Sequence, residues 1–210
     1  MPDFSVAQGE KLAVIGPSGS GKTTLLNLIA GIIIPDDGNV RVGETVVSRL
    51  GDAGRRDFRI SNIGFVFQNL QLLDYLSVLD NVVLPCQFSA LRRQRVLARA
   101  ASLEEEATRL LTLLQLADPE LLKRRVSRLS IGQQQRVAAA RALMGGPEII
   151  IADEPTSALD AQSRDAFVDL RLQEGAGQGT TLLFVSHEAA LAPRFDRTLV
   201  LETVRPVEVV

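Results

Sequence analysis

The run Gly16-Pro17-Ser18-Gly19-Ser20-Gly21-Lys22-Thr23 constrains the fold more than any other part of the chain. An apolar, β-rich stretch (Lys11–Ile15) precedes it and an amphipathic stretch, residues 24–30, follows. Glycines at this spacing let successive backbone N–H groups turn inward around an anion, and the start of a helix adds partial positive charge. A loop of this kind sits between a strand and a helix, so the expected fold class is α/β.

The pattern G-x4-G-K-[ST] is the Walker A loop. In it Lys22 reaches the β- and γ-phosphates of a nucleotide, the Thr23 hydroxyl ligates Mg2+, and Thr24 continues the cradle on the first helical turn. The loop alone does not separate kinases, GTPases and transport ATPases, which share it.

Further β-rich apolar runs occur at residues 39–42, 63–67, 148–152, 180–185 and 198–201. Those after residue 145 alternate with a helical stretch, which predicts a mainly parallel sheet. The turn Asp36-Asp37-Gly38 predicts that 39–42 belongs to a small antiparallel annex. Between 89 and 144 no convincing strand is found. Ser102 and Glu105 have capping-box spacing ahead of Leu103, Ala107, Leu110, Leu111 and Leu114. Ser130 and Gln133 repeat that spacing, and the helix they open is expected to end near Met144, before Gly145-Gly146-Pro147. We therefore expect one domain: an α/β core from residues 1–68 and 146–210, with a helical subdomain, 69–145, inserted in it.

The net charge of −2 over 210 residues provides no general attraction to nucleic acid. The basic cluster Arg92, Arg93, Arg95 and Arg99 reads as a solvated helix face, its field lowered by Glu104, Glu105 and Glu106. Cys86 is the only cysteine, so no intrachain disulfide forms, and it is expected to be a small buried apolar residue. No run approaches the ~20 apolar residues of a membrane span, and the first residues do not read as a secretion signal. A cytoplasmic location follows, with any membrane-spanning part supplied by a partner.

Four elements narrow the chemistry. The strand at 148–152 runs into Asp153-Glu154, where Asp153 would hold the Mg2+ shell and Glu154 would polarise an attacking water. Gln68 and His187 each follow a predicted strand, at the sheet edge where phosphoryl chemistry collects. Leu129-Ser130-Ile131-Gly132-Gln133 forms a capped helix start far along the chain, a second potential anion site. Two such ends suggest that they meet across a dimer.

Taken together, these motifs resemble the nucleotide-binding subunit of an ATP-binding cassette (ABC) transporter, over essentially the whole chain. They occur in the family's order: Walker A, the Gln68 loop, the signature at 129–133, Walker B ending in Asp153-Glu154, the loop from Ser157 to Asp160, and His187. The resemblance implies a P-loop NTPase core and a head-to-tail homodimer with two ATP molecules between the copies. Each ATP would be held by Walker A of one copy and by Ser130, Gly132 and Gln133 of the other, with Asp160 at the junction. It also implies that Glu154 is the general base, that His187 contacts the γ-phosphate, and that Gln68 links Mg2+ to an integral membrane permease. The segments "FVFQNLQLL" and "RVAAARALMGGPEIIIADEPTSALD" are most similar to lipoprotein-release and macrolide-efflux exporters. Location would then be peripheral, on the inner face of the cell membrane.

Two departures from the family pattern stand out. Members usually carry a further strand and an adenine-stacking aromatic ahead of the point where this chain starts; Phe4, the only aromatic before residue 16, reads as a core residue. Weaker adenine recognition or a truncated start, and an exposed sheet edge, are the expectation. Ile131 stands where the signature usually has glycine, which predicts retained but slowed hydrolysis. Two alternatives stay open: a soluble ABC ATPase acting on ribosomes or DNA, and a dimerising ATP-dependent module with little turnover. Against the first stand the single cassette, the absence of zinc-ligand cysteines and the lack of basic bias.

Overall fold

The computed structural model describes residues 4–116, 118–153, 179–186 and 189–202. Five parallel strands form the main sheet: β1 (Lys11–Ile15), β4 (Ile63–Val66), β5 (Ile149–Asp153), β6 (Thr181–Ser186) and β7 (Arg197–Val200), in the order β4-β5-β6-β1-β7. Apolar residues dominate the inner strands because both faces are covered; β6 is buried along its whole length. The fold is α/β with a mainly parallel sheet. A second, two-stranded antiparallel sheet pairs β2 (Arg41–Val42) with β3 (Thr45–Val46). Its reversal lies at Gly43-Glu44, with Gly43 at φ 53, whereas the expected turn at Asp36-Asp37-Gly38 is a separate local bend in which the Asp37 carboxylate accepts from Gly38 N–H.

Seven α-helices occur among the described residues. Helix α1 (Lys22–Ile29) leaves the glycine-rich loop, and α2 (Asp52–Asn62), which the apolar pattern did not predict, packs ahead of β4. Between β4 and β5 come α3 (Val78–Phe88), α4 (Ala90–Leu97), α5 (Leu103–Leu113), α6 (Pro119–Leu122) and α7 (Ile131–Leu143). At α7 the capping box is complete, each of Ser130 and Gln133 bonding the other's backbone N–H. At α5 only half of it forms: Ser102 Oγ accepts from Glu105 N–H, but the Glu105 carboxylate reaches back to Ala101 N–H instead.

The two faces of the sheet have separate cores. Leu12, Val14, Ile149, Ile151, Leu183 and Val185 pack with α1, α2 and the half-buried Phe4. Val66, Ile150, Ala152, Leu182 and Phe184 pack with α3, α5 and α7. The alternation along β5 and β6 assigns successive residues to opposite cores, as the strand period requires. The helices between β4 and β5 thus share their core with the sheet. Cys86 is buried there, at 2% exposure, and burial pushes its thiol pKa up.

The basic cluster on and just after α4 is only in part a solvated face. Arg92 is 1% exposed, with Nη1 donating to Met144 O (2.8 Å) and Nη2 to Ile63 O (2.6 Å). Gly145, at φ 77, lies so close that an added Cβ would stand 2.6 Å from Arg92 Cβ. Burial pulls the Arg92 guanidinium down to about 10, so it remains charged at neutral pH. Arg95 donates to Gly146 O, and Arg99 pairs with Glu106, a carboxylate only 2% exposed that also binds Arg109. These arginines cap the carbonyl end of α7 and satisfy a buried acid, because unpaired groups there would cost about 1–3 kcal/mol each. Arg93 and Arg99 are exposed, and of the four only Arg93 makes no bond of this kind among the described residues.

Candidate functional site

Parallel strands end at one edge of the sheet, and the register fixes which residues arrive there. Ile15 pairs with Ser186, Asp153 with Val185, and Val66 with Ala152. Gly16, Asp153 and Gln68 therefore all lie at the carboxyl edge, the position where ligands bind in open α/β sheets. Asp153 is half-buried as the last residue of β5, and Gln68 is exposed two residues beyond Val66.

The loop after β1 is shaped by its glycines. Gly19 and Gly21 adopt φ 80 and φ 90, and nothing lies within 4 Å of where their Cβ atoms would be. Gly16 is required for a different reason: a Cβ there would meet Leu201 O at 2.5 Å and Ser20 Oγ at 2.6 Å. The Ser20 hydroxyl is buried against Gly16 and has no hydrogen-bond partner among the described residues. Pro17, Ser18 and Gly19 form the exposed rim. Gly21 is the N-cap of α1, and no side chain caps that helix. The Lys22 side chain is buried at 6% exposure and donates to Gly16 O (2.7 Å) and Pro17 O (2.9 Å). Thr23 and Thr24 are exposed on the first turn.

A left-handed glycine loop, an uncapped helix start and a lysine ammonium held at the rim fit a polyphosphate. A hydroxyl (Thr23), an amide (Gln68) and a carboxylate (Asp153) are a hard-oxygen set suited to Mg2+. Among the described residues no three His, Cys, Asp or Glu side chains gather as a separate metal site. Glu154, Asp160 and His187 lie outside the described residues.

Ser130 is the N-cap of α7. Ser130 and Ile131 are exposed, Ile131 at 69%, while Gly132 and Gln133 are half-buried. The capping box occupies Ser130 N–H with Gln133 Oε1 (2.9 Å) and Gln133 N–H with Ser130 Oγ (3.3 Å). Thirteen residues of α7 separate this end from Leu143, about 20 Å at the helical rise. The opposite end of α7 is tied to the start of β4 through Arg92.

Two features near the site were not foreseen. The backbone just after Gln68 is left-handed at non-glycine residues, Leu70 (φ 54) and Gln71 (φ 47). Arg141 of α7 bonds both of their carbonyls, and burial lowers its pKa. An arginine within the alanine-rich run of α7 was the available signal, but its partners are 70 and 71 residues away.

The ABC transporter family model matches residues 2–157. The macrolide export ATP-binding/permease protein MacB of Pasteurella multocida is 38% identical over 200 residues, which is 95% of this chain but 29% of that protein. The lipoprotein-releasing system ATP-binding protein LolD of Syntrophotalea carbinolica is 39% identical over 197 residues, 94% of this chain and 83% of that protein. The chain thus spans under a third of the MacB relatives and most of the LolD one. Among solved structures, the dimeric bacterial ABC transporter cassette MJ0796 superposes with a TM-score of 0.79 at 34% identity, covering 95% of this chain and 84% of that one. A post-hydrolysis dimer of the same cassette, bound to ADP and Pi, has a TM-score of 0.77 at 34% identity. Among the described residues no helix is long and apolar enough to cross a membrane. With a glycine loop, Asp153 and Gln68 on one sheet edge and these relatives across nearly its full length, the chain belongs to the ABC transporter family, as its ATP-binding cassette.

Proposed function

We propose that the chain binds and hydrolyses ATP and, paired with a second copy, drives a separate permease of the lipoprotein-release or macrolide-efflux type. The observation that carries this reading is the convergence of Lys22, Asp153 and Gln68 on the carboxyl edge of β1, β5 and β4. Backbone N–H groups of residues 16–24 hold the phosphates, and Lys22 exchanges its bonds to Gly16 O and Pro17 O for phosphate oxygens. Mg2+, when bound, would offset charge on the β- and γ-phosphates, and Thr23, Gln68 and Asp153 are the residues that would hold it. Glu154 accepts a proton from the water that attacks the γ-phosphorus, and His187 steadies that phosphate.

The exposed Ser130 end supports the dimer reading: the first residues of α7 are open to a second copy, so Ser130, Gly132 and Gln133 serve the second copy's ATP, with Asp160 at the junction. In this reading residues 1–68 and 146–210 are the nucleotide-binding core and 69–145 the helical subdomain. The protein sits on the cytoplasmic face through its permease.

Glu154→Gln tests the enzyme claim. It should abolish phosphate release while ATP drives the variant into a stable dimer on size-exclusion chromatography. Wild-type protein that never turns over, even with its permease, would instead favour a binding module. Purification from detergent-solubilised membranes should bring down a hydrophobic partner; recovery of ribosomes or DNA in its place would remove the transporter reading.

A further inference from the structure

Residues 67–77 join β4 to α3, and their conformation is imposed from outside. Leu70 is the middle of a three-residue turn closed by Gln71 N–H on Asn69 O (2.5 Å). Residues with a Cβ hold such a turn only when their surroundings over-determine it. Arg141 does so: Nη2 donates to Leu70 O and Nη1 to Gln71 O, each at 2.6 Å. The planar fork requires its two acceptors to lie side by side, a demand that a lysine could not make. No carboxylate pairs with Arg141 among the described residues, so its desolvated charge is balanced by loop carbonyls.

The rest of the loop is fastened as well. Asn81, fully buried, accepts from Leu73 N–H and donates to Leu73 O and Ser77 O. Val126 N–H donates to Leu76 O and Val78 N–H to Arg124 O, and Gln134 of α7 donates to Val126 O and Leu129 O. The loop therefore has its anchors on α3, on α7 and on the segment leading into Ser130.

We propose that Arg141 is a positioning residue: by imposing the left-handed turn at Leu70 and Gln71 it sets where Gln68 stands at the sheet edge, and it makes α7, with Ser130 at its head, move as one body with that loop. Its kinetic consequence rests on the ATPase reading; its structural consequence does not.

The test uses the full chain with Arg141→Ala, Arg141→Lys, and Arg141→Ala combined with Leu70→Gly and Gln71→Gly. ATP turnover is measured across Mg2+ concentrations, together with amide hydrogen exchange of residues 68–73. Arg141→Ala should lower kcat about tenfold with KM for ATP within about twofold, since misplacement costs rate before binding. More Mg2+ should be needed for half-maximal rate, and exchange at 69–72 should quicken while that of 131–143 is unchanged. The added glycines adopt positive φ without strain and should recover about threefold of the lost rate. A uniform loss of stability, kcat and KM with no glycine rescue would overturn the proposal, as would unchanged kcat and exchange. If Arg141→Ala does not fold, Arg141→Lys, which keeps the charge but not the fork, decides by the same readouts. Wild-type protein without ATPase activity would end the enzymatic reading, while the exchange data would still decide whether Arg141 shapes the loop.

Discussion

Two loops leave the carboxyl edge of the sheet in left-handed conformations, and they hold them by opposite means. After β1 the positive φ values fall on Gly19 and Gly21, where no Cβ resists them. After β4 they fall on Leu70 and Gln71, which are held by Arg141. A left-handed residue with a side chain costs about 1–2 kcal/mol, so the second loop carries roughly 2–4 kcal/mol of local cost. Two charge-assisted bonds at about 1.5–3 kcal/mol each can offset it. The first loop owes its left-handed turns to residue choice. The second exists only once α7 has packed against β4, which makes it responsive to α7.

The largest effect that would sharpen this contrast is expected at Lys22. Lys22→Ala removes the cation at the rim and should cut ATP turnover by about a hundredfold or more; turnover near wild type would break the assignment of the first loop as the phosphate site. Gly16→Ala comes next. Its Cβ would collide with Leu201 O and Ser20 Oγ, so we expect about a tenfold or greater loss of nucleotide affinity by calorimetry, from a displacement of the kind overpacking forces. Gly19→Ala meets open space and should be milder, about 1–2 kcal/mol of left-handed strain, read as a modest drop in the same affinity. The smallest effect should be Gln71→Gly in the wild-type background. Relief of strain and the entropy cost of glycine nearly cancel, so the unfolding free energy in urea should change by under about 1 kcal/mol. A large loss there would mean the Gln71 side chain matters more than its backbone.

These differences follow how much of each loop could be read beforehand. The shape of the loop at 16–23 was legible, because the left-handed glycines and the Lys22 bonds lie within eight neighbouring positions; the crowding of Gly16 by Leu201 was not. The parallel strands were legible to within one or two residues at their ends, from apolar runs and their alternation with helices. Helix α2 was missed because its sequence, Asp52–Asn62, is mostly polar with one buried residue, Phe58. It is helical through packing of that one face, not through an apolar stripe. Arg92 was misread for a related reason: a charge on an otherwise amphipathic helix signals solvent, unless two carbonyls from distant segments are waiting for it.

What the sequence determined by itself is the left-handed glycine loop at the end of β1 and the capped start of α7. Both depend on hydrogen bonds and backbone preferences among residues a few positions apart. What only the tertiary structure decided is how the Gln68 loop is held and that the helices from α3 to α7 share a core with the sheet. Those outcomes depend on pairs such as Arg141 with Leu70, 71 residues apart, and Arg92 with Met144, 52 apart. A carbonyl presents the same acceptor at every position in a chain, so nothing local marks the one that a distant arginine will find.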